Sequence, residues 1–344
     1  MALSKIDLAN MVENQMPQSL IADNINFRNI IINGDMIQSQ RSTSVSSITG
    51  SGYNTVDRYT LQLSSQGTWT QSQSTDVPTG QGFAKSLKMD CTTADASPSA
   101  SDEFSLRQKI EGQNLQYLKK GTSSAESTTV SFWVKSNKIG TYICELRDSD
   151  NSRQINKSYT ISSANTWEKK TITYDGDTTG ALDNDNARSL DVVWWLGAGS
   201  NFTSGTLQTS WGSIVAANRA VGQVNLADST SNEFYITGVQ LEAGTASDFE
   251  FLPYDVNLRR CLRYYYQDDL RINLNTQRVS DGQRVAYKAF PVPMRASPTF
   301  TATESTEISN TSVNDTSKYG MTFQQSGSDG SVPRYNAYNF SSEL

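Results

Sequence analysis

Trp133 in Ser131-Phe-Trp-Val134, the Trp194–Trp195 pair, and Trp211 in Thr209-Ser-Trp-Gly-Ser213 are the side chains best suited to ligand contact. An indole face stacks on the C–H edges of a pyranose while its N–H still donates a hydrogen bond. In an alternating strand one neighbour points inward and the next outward. Core packing therefore claims at least one aromatic residue of each set, and the outward partner is left to carry a sugar. Trp195 and the loop residue Trp211 are the ligand-binding candidates. A loop tryptophan such as Trp211 equally suits a plug over the end of a sandwich.

Other chemistry is restricted. Histidine is absent from all 344 residues, which removes Ser-His and Cys-His catalysis and imidazole metal ligands. Asp148-Ser-Asp-Asn-Ser152 alternates oxygen side chains as the first half of a calcium loop does. Arg153 stands where an EF-hand needs Gly, and no Glu follows at the twelfth position. The segment is read as a solvated hairpin turn, and Asp183-Asn-Asp-Asn186 likewise. A glycosidase needs two carboxylates about 5–10 Å apart in a cleft; no motif singles out such a pair among the 35 Asp and Glu. The expectation is a protein that is not an enzyme, with no catalytic residues. Tyr264-Tyr265-Tyr266 cannot share one face of a helix or strand and is read as a buried hinge with one ring exposed.

The elements that must position these residues are strands. Period-two alternation marks Phe83–Met89, Phe104–Ile110, Thr129–Lys135, Thr141–Leu146, Gln154–Ile161, Trp167–Tyr174, Asp191–Leu196 and Phe234–Leu241. Strands recurring every 10–20 residues between Gly/Ser/Asn/Asp loops point to a sandwich rather than βαβ units. The segments FRNIIINGDM (27–36) and FYITGVQLEAG (234–244) read as its opening and closing strands. Ile236, Val239 and Leu241 can all face inward with Ile30 and Ile32 only if a bulge interrupts the alternation, at Gly238. Asp175–Arg188 and Gly197–Ala227 are long polar loops, the usual place for recognition. Gly112–Lys120 can hold a helical turn and 256–268 a short helix. Residues 1–20 are a helical candidate, with Ser4 and Asp7 resembling a capping box. Ile6, Met11 and Val12 supply an apolar face for docking on a partner.

The expected class is therefore all-β: a jelly-roll β-sandwich (26–255) with an N-terminal helical anchor (1–25) and a small C-terminal β region (256–344). Hydrophobic residues make up 36% and charged residues 19%, a low-core profile that suits an obligate oligomer. The net charge is −6 and basic residues are scattered, which argues against nucleic-acid binding. Cys91, Cys144 and Cys261 match no zinc spacing and are read as free thiols. The N-terminus lacks an apolar signal-peptide core, and no apolar run is long enough to span a membrane.

FRNIIINGDM…QSQRSTSV, Asp57-Arg58, SFWVKSNKIGTY, TWEKKTITY, ITGVQLEAG, CLRYYY, RASPTFT and NFSSEL together resemble a family of bacteriophage tail fibre or minor virion structural proteins from marine and cyanobacterial phages. The resemblance spans roughly residues 27–300 and implies a virion surface protein with a jelly roll similar to carbohydrate-binding modules. It implies adhesion to host surface glycans, synthesis in the host cytoplasm, virion protein partners (a tail hub or major capsid protein) and a homo-oligomer, guessed as a trimer. Some such modules hold a structural calcium between first and last strands through an acidic residue before the Val-Gln-Leu-Glu valine. Thr237-Gly238 stand there, leaving Asp35 and Glu242 as the oxygens that could serve. Two attachments stay open: a tail fibre, or a capsid decoration or head fibre docked through the N-terminal segment.

Overall fold

The computed structural model describes residues 27–268, 278–279, 283–304, 311–325 and 335–344. The anchor segment 1–25, with Ile6, Met11 and Val12, lies outside them. Eleven strands form one curled antiparallel sheet: β1 (Ser44–Gly52), β2 (Thr60–Ser74), β3 (Ser86–Thr93), β4 (Glu103–Glu111), β5 (Thr128–Ser136), β6 (Gly140–Asp148), β7 (Arg153–Ile161), β8 (Glu168–Tyr174), β9 (Arg188–Ala198), β10 (Gly212–Ser213) and β11 (Glu233–Ala243). Their order is β10-β7-β6-β9-β4-β2-β3-β11-β5-β8, with β1 beside β2. The pairs β6–β7, β5–β8, β4–β9 and β3–β11 nest inside one another along the chain. That nesting is the winding of a jelly roll.

The long β2 turns the sheet into two layers. Its residues Thr60–Ser64 pair with β4 and its residues Thr68–Ser74 with β3. Alternate residues from the two layers meet in one core that includes Leu61, Leu106, Tyr142, Ile155 and Trp194 from the first and Leu87, Phe132, Ile236 and Leu241 from the second. Phe132 meets Trp194 edge-on at 5.9 Å, and Trp69 meets Phe104 at 4.4 Å.

The closing strand carries the expected bulge. Thr237 opposes Trp133 and Gln240 opposes Ser131, so β11 holds one residue more than β5 in this interval. Gly238 supplies the left-handed conformation there (φ +60°). Ile236, Val239 and Leu241 are consequently all fully buried in the main core. Val239→Ala is expected to cost roughly 1–3 kcal/mol in equilibrium unfolding; wild-type stability would contradict this packing.

The opening segment corrects the sequence reading. Residues 27–36 form no strand. Only Ile30 N–H→Leu241 O (2.9 Å) and Val239 N–H→Gly34 O (2.9 Å) link it to β11 through the backbone. Asn29 fills the gap: its Nδ2 donates to Val239 O, and its Oδ1 accepts from Ile31 N–H and Leu241 N–H. Asn33 does the same with Gln38 and the carbonyl of Asp57. Side-chain amides replace the ladder. Ile30 and Ile31 reach the main core, whereas Ile32 packs instead with Cys261 and Tyr264.

Past the sandwich lies helix α2 (Tyr254–Leu262), following the single turn α1 (Ser200–Thr203) in chain order. Asp255 in the first turn and Arg259 and Arg260 in the last suit its dipole. It ends earlier than 268, because β12 (Tyr265–Asp268) pairs with β18 (Tyr335–Ser341), which also pairs with β15 (Thr299–Glu304). A third, four-stranded sheet orders β13 (Arg278–Val279), β14 (Gln283–Ala289), β17 (Gly320–Gln325) and β16 (Thr311–Ser317). These strands bury a separate cluster that includes Phe290, Met294, Met321, Phe323 and Phe340. Of the three tyrosines, Tyr264 and Tyr265 are buried, and Tyr266 stacks on Phe340 at 5.9 Å.

Candidate functional site

The two layers present different outer faces. On the first, Trp195 points outward from β9 but is fully buried. Its Nε1 donates to Glu145 Oε2 (2.8 Å), Phe202 packs on it at 5.4 Å, and the Arg219 guanidinium lies 4.9 Å from its ring. Arg219 also binds both oxygens of Glu145. The 199–220 stretch thus roofs this end of the face. Trp195 is therefore corrected as a ligand candidate: it presents no open ring face.

Trp211 is half-buried against the main core. Its Nε1 donates to Asp175 O (2.7 Å), and the Lys120 ammonium sits 4.0 Å from its ring. With one ring face against a cation and its donor used, Trp211 acts as a plug at the sandwich end. The calcium candidates serve other partners. Asp35 accepts from Asn257 Nδ2 (3.0 Å). Glu242 accepts from Gln240 Nε2 (2.8 Å) and from Ser247 N–H and Oγ (2.9 and 2.6 Å). Among the described residues no group of three acidic or thiol side chains could hold a metal ion. The Asn29 amide ties the opening segment to β11.

The second layer carries an aromatic and charged platform. Phe132 is inward, which sends Trp133 outward; Phe234 and Ile236 are inward, which sends Tyr235 outward. Register sets one row across the strands, Ser72–Lys88–Tyr235–Lys135, and a second, Thr237–Trp133–Lys169. Trp167, just before β8, meets Tyr235 edge-on at 6.1 Å. Trp133 is half-buried, and among the described residues its indole N–H has no protein partner.

Charges fix the platform. Lys135 lies 4.3 Å from the Tyr235 ring and 5.7 Å from the Trp167 ring. It donates to Asp76, which also accepts from Trp167 Nε1 (2.9 Å). Lys88 lies 5.4 Å over Tyr235 and bridges Glu233 (2.6 Å) and Asp90 (3.7 Å). Partial burial would raise Asp76, but the hydrogen bonds from Lys135 and Trp167 hold it below the usual carboxylate range. Burial likewise would raise Glu233, and Lys88 and Tyr235 lower it. Burial, then the Glu233 hydrogen bond, push Tyr235 up to about 12. These donors and acceptors are paired with one another, Tyr235 Oη donating to Glu233 (2.8 Å), so the charges hold the rings in place beside the partly exposed Trp133 indole.

Burial raises Asp90, the Lys88 charge lowers it and the Glu233 charge adds to the rise. The strand parity of Phe132 and Phe234 already marked Trp133 and Tyr235 as outward, and Trp167 opposes the inward parity of Ile172 and Tyr174. Their convergence required the β3-β11-β5-β8 strand order.

No family model matches the chain, and no curated protein does. Among solved structures it is similar to the enzymatically active domain of bacteriophage CBA120 tailspike protein 4 (14% identity, TM-score 0.32), over 63% of this chain and 21% of that one. It is similar to the carbohydrate-binding module TmCBM61 in complex with β-1,4-galactotriose (11% identity, TM-score 0.31; 63% and 99% of the two chains). A third is the tandem CBM22 domain from Paenibacillus barcinonensis Xyn10C (16% identity, TM-score 0.29; 54% and 45%). Likenesses this distant carry no functional argument, and the jelly-roll assignment rests on the strand nesting.

Proposed function

We propose that this chain is a non-enzymatic phage virion surface protein, tail fibre-like, that adheres to host surface glycans through the outer face of β3, β11, β5 and β8. One observation carries the glycan reading: Trp133 and Trp167 lie partly exposed on one outer face, where the buried Tyr235 ring is held by Trp167, Lys88 and Lys135. Aromatic surface stacks on sugar rings, and the surrounding charges suit their hydroxyls. The virion assignment rests on the motif resemblance along the sequence. In this reading residues 1–25 attach the protein to the particle, 26–255 carry the adhesive face and 256–344 form a small second domain. Several copies, a trimer in the simplest case, would convert weak single contacts into firm adhesion.

Binding of purified protein to host-cell polysaccharide tests the reading. Trp133→Ala is expected to weaken it about tenfold or more, and Trp167→Ala comparably, with unchanged unfolding midpoints. Wild-type binding by both variants would overturn the assignment, as would shortening of the polysaccharide by the wild-type protein.

A further inference from the structure

Arg260, in the last turn of α2, is a half-buried cation that forms no salt bridge among the described residues. Its Nη2 donates to Asn29 O (3.3 Å), and its Nη1 is buried with no hydrogen-bond partner. Arg263, one position past the helix, is the contrast: its guanidinium grips both oxygens of Glu111 (2.9 and 2.7 Å). A buried cation that lacks an anion is costly. Burial accordingly lowers the Arg260 pKa.

Arg260 forms part of the wall of a 370 Å³ cleft, with Arg263, Asn114, Tyr117 and Phe27. The volume lies in the range of small-molecule sites. Two of its walls are aromatic and unusually bare: Tyr117 is 48% exposed and Phe27 59%. Tyr117 stands on the turn between β4 and β5, whereas the platform lies on the outer face of β3, β11, β5 and β8. The Glu250 charge offsets part of the Arg260 burial, but its oxygens accept from Phe27 N–H and from Asn29 N–H (2.9 Å) and form no salt bridge with Arg260.

We propose that this cleft is a second sugar subsite that takes an acidic saccharide, its carboxylate against Arg260 and its ring between Tyr117 and Phe27. The guanidinium presents donors in the planar geometry a carboxylate matches, and the aromatic walls suit a pyranose. The sugar identity rests on the glycan-adhesion reading; the preference for an anion rests on Arg260 alone.

The test is titration of the full chain with galacturonate and with galactose, read by ligand-observed NMR. Galacturonate is expected to bind about tenfold or more tightly than galactose, the size expected of a charge-assisted bond. Arg260→Gln should erase that preference and Arg260→Lys restore part of it. Tyr117→Ala, at an exposed position that spares folding, should weaken galacturonate binding. Trp133→Ala should leave the preference for galacturonate over galactose in place while weakening polysaccharide binding, which separates failure of the platform from failure of the cleft. Equal binding of the two sugars, or galacturonate binding unchanged by both Arg260→Gln and Tyr117→Ala, would overturn the proposal, as would no detectable galacturonate binding.

Discussion

Replacing Lys120 with Met is expected to destabilise the protein by about 3–5 kcal/mol at neutral pH, the loss typical when one member of a buried ion pair is removed. The Lys120 ammonium is almost fully buried, 2.9 Å from Asp148 and 3.4 Å from Asp177. Arg153 also grips Asp177 through two bonds (2.7 and 2.9 Å), so that carboxylate keeps a partner. Asp148 does not. It is fully buried, and its other donors are the N–H and side-chain amide of Asn151. Without Lys120 the Asp148 carboxylate loses its bonded cation and keeps only the Asn151 donors and the more distant Arg153 charge. Adding Asp148→Asn should therefore recover much of the loss. A loss below about 1 kcal/mol in denaturant unfolding would place this pair with ordinary surface bridges.

Glu343→Ala is expected to have a comparable effect on the C-terminal strands. Arg58 is 1% exposed, and Glu343 is its carboxylate partner; Arg41 reaches the same side chain at 3.1 Å. Arg58 also donates to Lys109 O (2.7 Å) and lies over the Tyr264 ring at 3.4 Å. The neighbouring main chain is held by Arg295, which donates to Ser342 O (2.6 Å) and Glu343 O (3.2 Å), and by Tyr53, which donates to Leu344 O. Removing the carboxylate leaves a buried guanidinium unpaired, a cost of about 3–5 kcal/mol. Hydrogen exchange should quicken first in Tyr338–Leu344 and in β12. Arg58→Met with Glu343→Leu should recover stability, since a well-packed apolar pair can replace a buried ionic one. Unchanged exchange in the single variant would show that the tail does not depend on this pair.

The sequence exposed the fold through parity. Three inward residues in Ile236-Thr-Gly-Val-Gln-Leu241 demand one extra residue, and the bulge stands at Gly238. Parity also separated Phe132 from Trp133 and Trp194 from Trp195. It could not tell which outward tryptophan stays open. The roof over Trp195 comes from Phe202 and Arg219, which pack there through long-range contacts. The segment 27–36 looked like a strand because Ile30-Ile-Ile32 is apolar and β-branched. Asn29 and Asn33 overrode that propensity by taking backbone partners with their amides. Asp148-Ser-Asp-Asn read as a solvated turn, yet Asp148 is buried because Lys120, 28 residues earlier, reaches it. Trp167, Tyr235 and Arg260 carry no local motif; each gains its role from elements distant in the chain.

A cryo-EM map of the intact particle tests the central claim most directly. The account predicts this jelly roll at the tail, with Trp133 and Trp167 facing outward and free of other virion proteins. Density that places the same face against the capsid shell or a neighbouring subunit would contradict it, and would make the platform a docking surface instead of an adhesive one.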